Sequence, residues 1–317
     1  MKAIYYNKYG DADVLQYGEQ PKPEIEDDQL LVRVHAASVN PVDWKIRQGK
    51  LMPVSGVSFP QIPGRDIAGE VVEVGKDVIG FVPGDKVFGM IDHALGGAYA
   101  AYAVLSERVA APMPENLNYN QAAAVPLAAL TALQGLRDKG ELEAGERVLI
   151  NGASSGVGSF AVQLAKVLGA GEVTGVCGPD HIELVRKLGA DRVLNYKEED
   201  FTAEEDRYDL IFDAVAKSTY LDCKGSLRHN GRYVTTVPDP KDIALGYAFS
   251  VFSDKKLSTM LVKDRGSDLR QLKEWIEAKK VKPLIDREYP LSQAAEAHRY
   301  SQEGHAAGKI ILVVYEH

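Results

Sequence analysis

Apolar and polar positions alternate in short runs through the first third of the chain. LLVRVHAASV (Leu30–Val39), IAGEVVEVG (Ile67–Gly75), DKVFGM (Asp85–Met90) and AYAAYAVL (Ala98–Leu105) have a period near two, and Gly and Pro separate them. This predicts a β-rich domain with few helices over residues 1–120. The pattern then changes. A helical opening, QAAAVPLAALTALQGLRD, leads into RVLING. From there short apolar runs (VTGVC, RVLNY, YDLIFDAV, GRYVTTV) alternate with amphipathic helices (SFAVQLAKVLG, IELVRKLG). Apolar strands joined by helical crossovers predict a parallel sheet covered on both faces, over residues 121–262. Residues 263–317 add two helices, SDLRQLKEWIEAKK and SQAAEAHRYSQ, and a last strand, KIILVVY. That strand needs a partner, and since the β-rich domain comes first the chain is expected to return to it, although periodicity alone does not establish the return.

Composition narrows the class of partner. The 317 residues, 45% hydrophobic and 26% charged, suffice for two packed domains. A net charge of −8 argues against a polyanion, because phosphate backbones are bound through an excess of Lys and Arg, so nucleic acid is not expected as a partner. Only two cysteines occur, Cys177 and Cys223, both in apolar runs, which disfavours a disulfide framework and favours a reducing compartment. The opening MKAIYYNKYGDADV lacks the apolar stretch of a signal peptide, and no run approaches the length of a membrane span. The expectation is a cytoplasmic protein with no integral membrane segment.

The most informative stretch is RVLINGASSGVG, Arg147–Gly158, a strand running through small residues into a helix. A tight turn there presents backbone N–H groups and a helix N-terminus to a pyrophosphate. Ala153, Ser155 and Gly158 stand at the three glycine positions of the dinucleotide fingerprint, with Gly152 and Gly156 beside them. Ser154, Ser155, Gly156, Val157 and Gly158 are the candidate cofactor residues. The plainer alternative is an ordinary helix entry capped by Ser154 or Ser155. About 20 residues on, an NAD-binding fold places a carboxylate on the ribose. Here the strand ends at Cys177 and Gly178, which leaves room for the 2′-phosphate of NADP, although Asp180 follows in the loop. Tyr196 is a candidate to pack on the adenine or donate to the phosphate. Lys197 and Arg192 are the nearest cations, with a solvated surface charge as the alternative for the lysine.

Several of these stretches resemble one family across nearly the whole chain. MKAIYYNKYG, SVNPVDWKIRQG, PGRDIAGEVVEVG, GDKVFG, LTALQGL, LVRKLGADRVLNYKEEDF and GHAAGKIIL are similar to the medium-chain dehydrogenase/reductase superfamily, in its zinc-independent quinone oxidoreductase and enone reductase branch. KKLSTMLV and VKPLIDREYPLSQAAEAH resemble the chloroplast-envelope quinone oxidoreductase homologues within it. The resemblance implies an α/β fold: a chaperonin-10-like β-rich catalytic domain, completed by residues 263–317, and a Rossmann doubly wound parallel sheet. It places the active site in the cleft and suggests a homodimer. Thr131, in the family-like LTALQGL helix, is a candidate to meet the nicotinamide end, and Val215 and Val237, ending the strands YDLIFDAV and GRYVTTV, are candidates to line the dinucleotide cleft. Lys309 either reaches the cofactor or is structural.

Zinc-containing relatives use a Cys and a His-Glu pair. The corresponding positions read Asn40 in SVNPVD and Arg65-Asp66 in PGRDIAG, so no metal is expected. His35 and His93 are read as ordinary hydrogen-bonded or surface histidines. An alcohol needs a Lewis acid before hydride leaves it, whereas a quinone or an enone is already electrophilic. The expected reaction is transfer of hydride from NADPH to a quinone or an α,β-unsaturated carbonyl, with hydrogen-bond donors on the developing oxyanion. Asn40 is the first candidate for such a donor, or else it caps the turn NPVD. Tyr99 either donates a proton or packs. Asp43 and Lys45 read as surface or local ion-pair residues. Two other readings are a non-catalytic NADPH sensor or scaffold and a metal-free alcohol dehydrogenase.

Overall fold

Alternation in the first zone produces antiparallel strands because each run buries one face and finds a hydrogen-bonding neighbour across a Gly- or Pro-rich turn. The computed structural model describes residues 1–51, 58–93, 95–236, 244, 246–248, 250 and 253–315. A small hairpin pairs β1 (Lys2–Tyr5) with β2 (Gln16–Glu19). The chain continues through β3 (Gln29–Val39), α1 (Pro41–Arg47), β4 (Asp66–Val74), β5 (Lys86–Met90), β6 (Tyr102–Ser106), β7 (Ala110–Pro112) and α2 (Tyr119–Ala123). β3 is buried along nearly its whole length, as befits a strand paired with β4 and β6 and, at its carboxyl end, with the last strand of the chain.

The second zone supplies α3 (Pro126–Gln134), β8 (Arg147–Asn151), α4 (Gly156–Val167), β9 (Glu172–Cys177), α5 (Ile182–Lys187), β10 (Arg192–Asn195), β11 (Tyr208–Asp213), α6 (Tyr220–Cys223), β12 (Leu227–Thr235) and β13 (Lys256–Thr259). Its six strands lie in the order β10-β9-β8-β11-β12-β13, all parallel. This is the doubly wound order, and its direction of winding reverses between β8 and β11. KKLSTMLV, read only as a family resemblance, supplies the sixth strand.

The last zone contains α7 (Gly266–Glu277), β14 (Ile285–Pro290), α8 (Ala294–Glu303) and β15 (Lys309–Val313). β15 joins β3 antiparallel and β14 parallel, extending the sheet of the first zone to seven strands. The chain thus forms two units, Met1–Leu127 with Asp264–His317, and Ala128–Lys263. The first reaches Leu127 rather than stopping at the expected limit of 120, because α2 packs on β3 and β4. No described helix is long and apolar enough to cross a membrane.

Candidate functional site

In the Ala128–Lys263 unit, the candidates around the glycine-rich turn gather at the carboxyl ends of the parallel strands. The backbone N–H groups of Gly152 and Ala153 donate to the Val176 carbonyl, tying the turn to the end of β9. Gly152 has φ +78°, and a Cβ there would lie 2.4 Å from Val215 Cγ1. A Cβ on Gly158 would lie 2.0 Å from the Gly152 carbonyl oxygen. Both positions therefore require glycine for strand, turn and helix to close on one another. Val215, beyond β11, meets the turn beyond β8, where the winding reverses. The plainer alternative of a capped helix entry is also realised: Ser155 is the N-cap of α4, and its Oγ accepts the Gly158 N–H at 3.1 Å. Ser154, Gly156 and Val157 remain half-buried at the N-terminus of a twelve-residue helix, an end at which an anion is favoured.

The next strand end matches this geometry. Cys177 is buried, and burial pushes its thiol up to about 11. The Tyr196 N–H donates to the Cys177 carbonyl, and the Tyr196 ring lies 3.5 Å from where a Gly178 Cβ would stand. That ring is 59% exposed. Of the two nearby cations, Arg192 is committed to Glu204 through two hydrogen bonds, while Lys197 is exposed. Asp213 organises this end from beneath. Buried at the tip of β11, it accepts from Tyr233, Asn151 and the Val215 and Ala216 N–H groups, and burial raises its pKa despite them. Thr131 is buried in α3. Val237 lies outside the described residues.

A different constellation forms in the other unit, and strand register builds it. β3 pairs Ser38 with Asp66 of β4, and β15 pairs Ile310 with Val39, so Lys309 arrives beside Asn40. All four polar side chains are buried. Asp66 Oδ2 accepts from Ser38 Oγ at 2.7 Å and from Asn40 Nδ2 at 2.9 Å, and its Oδ1 accepts the Leu127 N–H at 2.9 Å. The Lys309 ammonium donates to Asn40 Oδ1 at 2.5 Å and lies 3.5 Å from Asp66 Oδ2. Burial lowers the Lys309 pKa, and the Asp66 charge opposes that shift. Of the two readings of Lys309, at the cofactor or structural, these contacts inside the unit match the structural one. Asn40 has both ends of its amide engaged, in addition to preceding α1 as its N-cap.

Tyr99 belongs to a chain of hydrogen bonds. Arg47 Nη1 donates to His298 Nδ1 at 3.1 Å. That leaves His298 Nε2 to carry the proton toward the Tyr99 hydroxyl at 3.3 Å, and Tyr99 donates to Asp43 Oδ2 at 3.1 Å. Burial, reinforced by the Arg47 charge, lowers the His298 pKa to about 3. Tyr99 is fully buried, with its pKa raised well above the ordinary value by burial and by Asp43. Its ring fills the space over Gly64, where a Cβ would come within 2.2 Å. As a proton donor Tyr99 is therefore spent on Asp43, and the packing alternative describes it. Asp43 corrects the sequence reading more sharply: it is only 2% exposed, not a surface residue, and burial pushes its pKa up to about 7. Gly96, Gly97 and Ala98 pack against Gly64. His35 is buried rather than at the surface, and its ring stacks on Tyr119.

Two family models match, the alcohol dehydrogenase GroES-like domain over residues 26–115 and the zinc-binding dehydrogenase over residues 188–312. The chloroplastic quinone-oxidoreductase homolog of Spinacia oleracea is 38% identical over 98% of this chain and 98% of its own. The chain belongs to the medium-chain dehydrogenase/reductase superfamily. It is an oxidoreductase. Another member, the NADPH-dependent alkenal/one oxidoreductase of Arabidopsis thaliana, is 37% identical over 98% of this chain and 79% of its own. The structure of the quinone oxidoreductase from Coxiella burnetii superposes with a TM-score of 0.91 at 32% identity, over 99% of each chain.

The zinc named by one matching model can be tested against the residues at the corresponding positions of this superfamily member. An amide, a guanidinium and a carboxylate stand there (Asn40, Arg65, Asp66), and the Lys309 ammonium already lies against two of them. Zinc is held by thiolate, imidazole and carboxylate groups in tetrahedral array. This donor set does not fit it. Among the described residues, no group of three or more His, Cys, Asp or Glu side chains is placed to hold a metal ion.

Sequence reasoning missed Ser38, Arg47 and His298 altogether, and it took Asp66 only as a lost ligand. Arg47 and His298 are 251 residues apart, and no spacing in the chain announces such a pair. The one available signal was the polar residues interrupting otherwise apolar strand ends, Ser38 and Lys309.

Proposed function

We propose that the protein transfers hydride from NADPH to quinones or α,β-unsaturated carbonyls without a metal ion. The observation that carries this reading is the position where zinc-containing relatives hold their ion, where Asp66 and Lys309 are paired and Asn40 is hydrogen-bonded to both instead. Without a Lewis acid, an acceptor that is already electron-poor is the chemically suitable substrate. The names of the Spinacia and Arabidopsis relatives point the same way.

When bound, the nicotinamide dinucleotide supplies the hydride. The chain supports its binding at the carboxyl ends of β8, β9 and β11. There the α4 N-terminus favours the pyrophosphate, and the extended Gly178, at φ −74° and ψ 164°, puts no carboxylate against a 2′-phosphate. Within this reading, Asn40 donates to substrate through the second Nδ2 hydrogen, and Tyr99 acts through Asp43 rather than on substrate. A cytoplasmic homodimer belongs to the same proposal, to be checked by fractionation and light scattering.

The test is an acceptor panel of benzoquinones, naphthoquinones, alkenals and cyclic enones, each run with NADPH and NADH before and after chelator treatment. Acceptor-dependent NADPH oxidation that survives the chelator is expected. Absence of turnover on every acceptor, or activity lost to the chelator and restored by zinc, overturns the reading.

A further inference from the structure

Lys309 is the first residue of β15, on the segment that returns to the first sheet. Its side chain is almost entirely enclosed, and its ammonium lies against three oxygens: Asn40 Oδ1 at 2.5 Å, the Val39 carbonyl at 3.5 Å and Asp66 Oδ2 at 3.5 Å. Asp66 is fully buried. An isolated carboxylate in such a place is strongly destabilising, whereas a paired one is tolerated. Two of the three oxygen donors belong to the positions at which zinc-containing relatives carry ligands. The arrangement is therefore a cation site whose cation is covalently tethered.

We propose that Lys309 is the resident cation of this site, neutralising Asp66 and fixing which end of the Asn40 amide faces inward, in the place that a divalent ion occupies in the metal-dependent relatives. The inference rests on the zinc-independent reading but is tested without turnover. By holding Asn40 Oδ1, the ammonium turns Nδ2 toward Asp66. Lys309 is a positioning residue for both.

Lys309→Ala removes the equivalent of n-propylammonium and leaves the oxygen donors in place, so an added amine of that shape can fill the gap. The experiment measures thermal unfolding of wild type, Lys309→Ala, and Lys309→Ala combined with Asp66→Asn. Each is run with n-propylammonium chloride or with equal concentrations of the bulkier tetramethylammonium chloride. Lys309→Ala is expected to lower Tm by roughly 10 °C, the scale of breaking a buried pair in a chain of this size. n-Propylammonium should restore most of that loss, and tetramethylammonium should not. The double variant should lose less than the single one and show no rescue, because without the ammonium the Asn40 amide can flip and the Ser38 hydroxyl rotate to accept from the introduced amide. Equal losses in the two backgrounds, or equal responses to the two salts, overturn the proposal. If Lys309→Ala does not fold, recovery of a folded double variant supports the proposal and its failure to recover overturns it. The acceptor panel on wild type judges the zinc-independent reading separately.

Discussion

The two units handle polar groups in opposite ways. In the Met1–Leu127 and Asp264–His317 unit, Asn40, Asp43, Asp66, Tyr99, His298 and Lys309 are buried and hydrogen-bonded to one another. In the Ala128–Lys263 unit, the turn at Gly152–Gly158 keeps Ser154, Gly156 and Val157 half-buried at a helix N-terminus, and Tyr196 is exposed. The first arrangement resists change because each removed partner strands another in a medium of low dielectric. The second is a turn and a helix N-terminus, capped by Ser155, at which an anion is favoured. Buried side-chain chemistry and exposed backbone chemistry should therefore fail in different ways.

The largest expected effect is on the backbone side. Gly158→Val places carbon against the Gly152 carbonyl oxygen, where neither strand nor helix can retreat. A loss on the order of 3 kcal/mol is expected, together with loss of NADPH binding, read by thermal unfolding and by titration of protein fluorescence. Normal binding in this variant would remove the turn from the cofactor site.

On the buried side, pH separates two groups of opposite sign. Burial raises Asp43 from 3.8 to about 7, so the stability contributed by its neutral form is complete below pH 3.8 and lost as pH rises through 7. His298 falls from 6.5 to about 3, so its contribution is complete above pH 6.5 and lost as pH falls through 3. Asp43→Asn should abolish the decline between pH 4 and 7, and His298→Gln should flatten the acid limb. Tm measured across pH 3–8 checks both, and parallel profiles for the two variants would contradict the assignment.

Tyr99→Phe comes next. It removes the hydroxyl between His298 and Asp43 and should cost about 1–3 kcal/mol, measured by urea unfolding, without altering NADPH affinity. Gly178→Asp should leave stability unchanged, because the backbone there is extended and the nearest atom to a Cβ lies at ordinary contact distance. Its effect should be on cofactor choice: the ratio of kcat/KM for NADPH over NADH should fall about 10–100-fold, equivalent to about 1.4–2.7 kcal/mol. The smallest effect is expected from Tyr196→Ala, a change in NADPH KM worth less than about 1 kcal/mol, since the ring is mostly in solvent.

The fold was legible where the signal is local. The period-two runs became β3, β4, β5 and β6, and the alternation of apolar runs with helices became the parallel sheet. IDREYP, with its charges, gave no strand pattern, yet it forms β14 because the neighbouring β15 offers an open edge. At the dinucleotide end, Gly152, Ser155 and Gly158 were readable as a group because seven consecutive residues carry the whole device. At the buried network they were not. Asn40 and Tyr99 were singled out one by one, each with a structural alternative, but not as members of a network, and the surface alternative for Asp43 failed because its burial is set by packing that no spacing announces.

The sequence by itself determined the alternation of elements, the strand–turn–helix geometry at Gly152–Gly158 and the absence of a carboxylate at Cys177–Gly178, since each depends on neighbours a few residues apart. Only the tertiary structure decided that Lys309 meets Asn40 and Asp66, that Arg47 meets His298, and that Asp43 is buried. Those outcomes depend on strand register and on the return of the chain end to β3, and a buried charge takes its partner from whatever the packing brings within reach, not from its place in the chain.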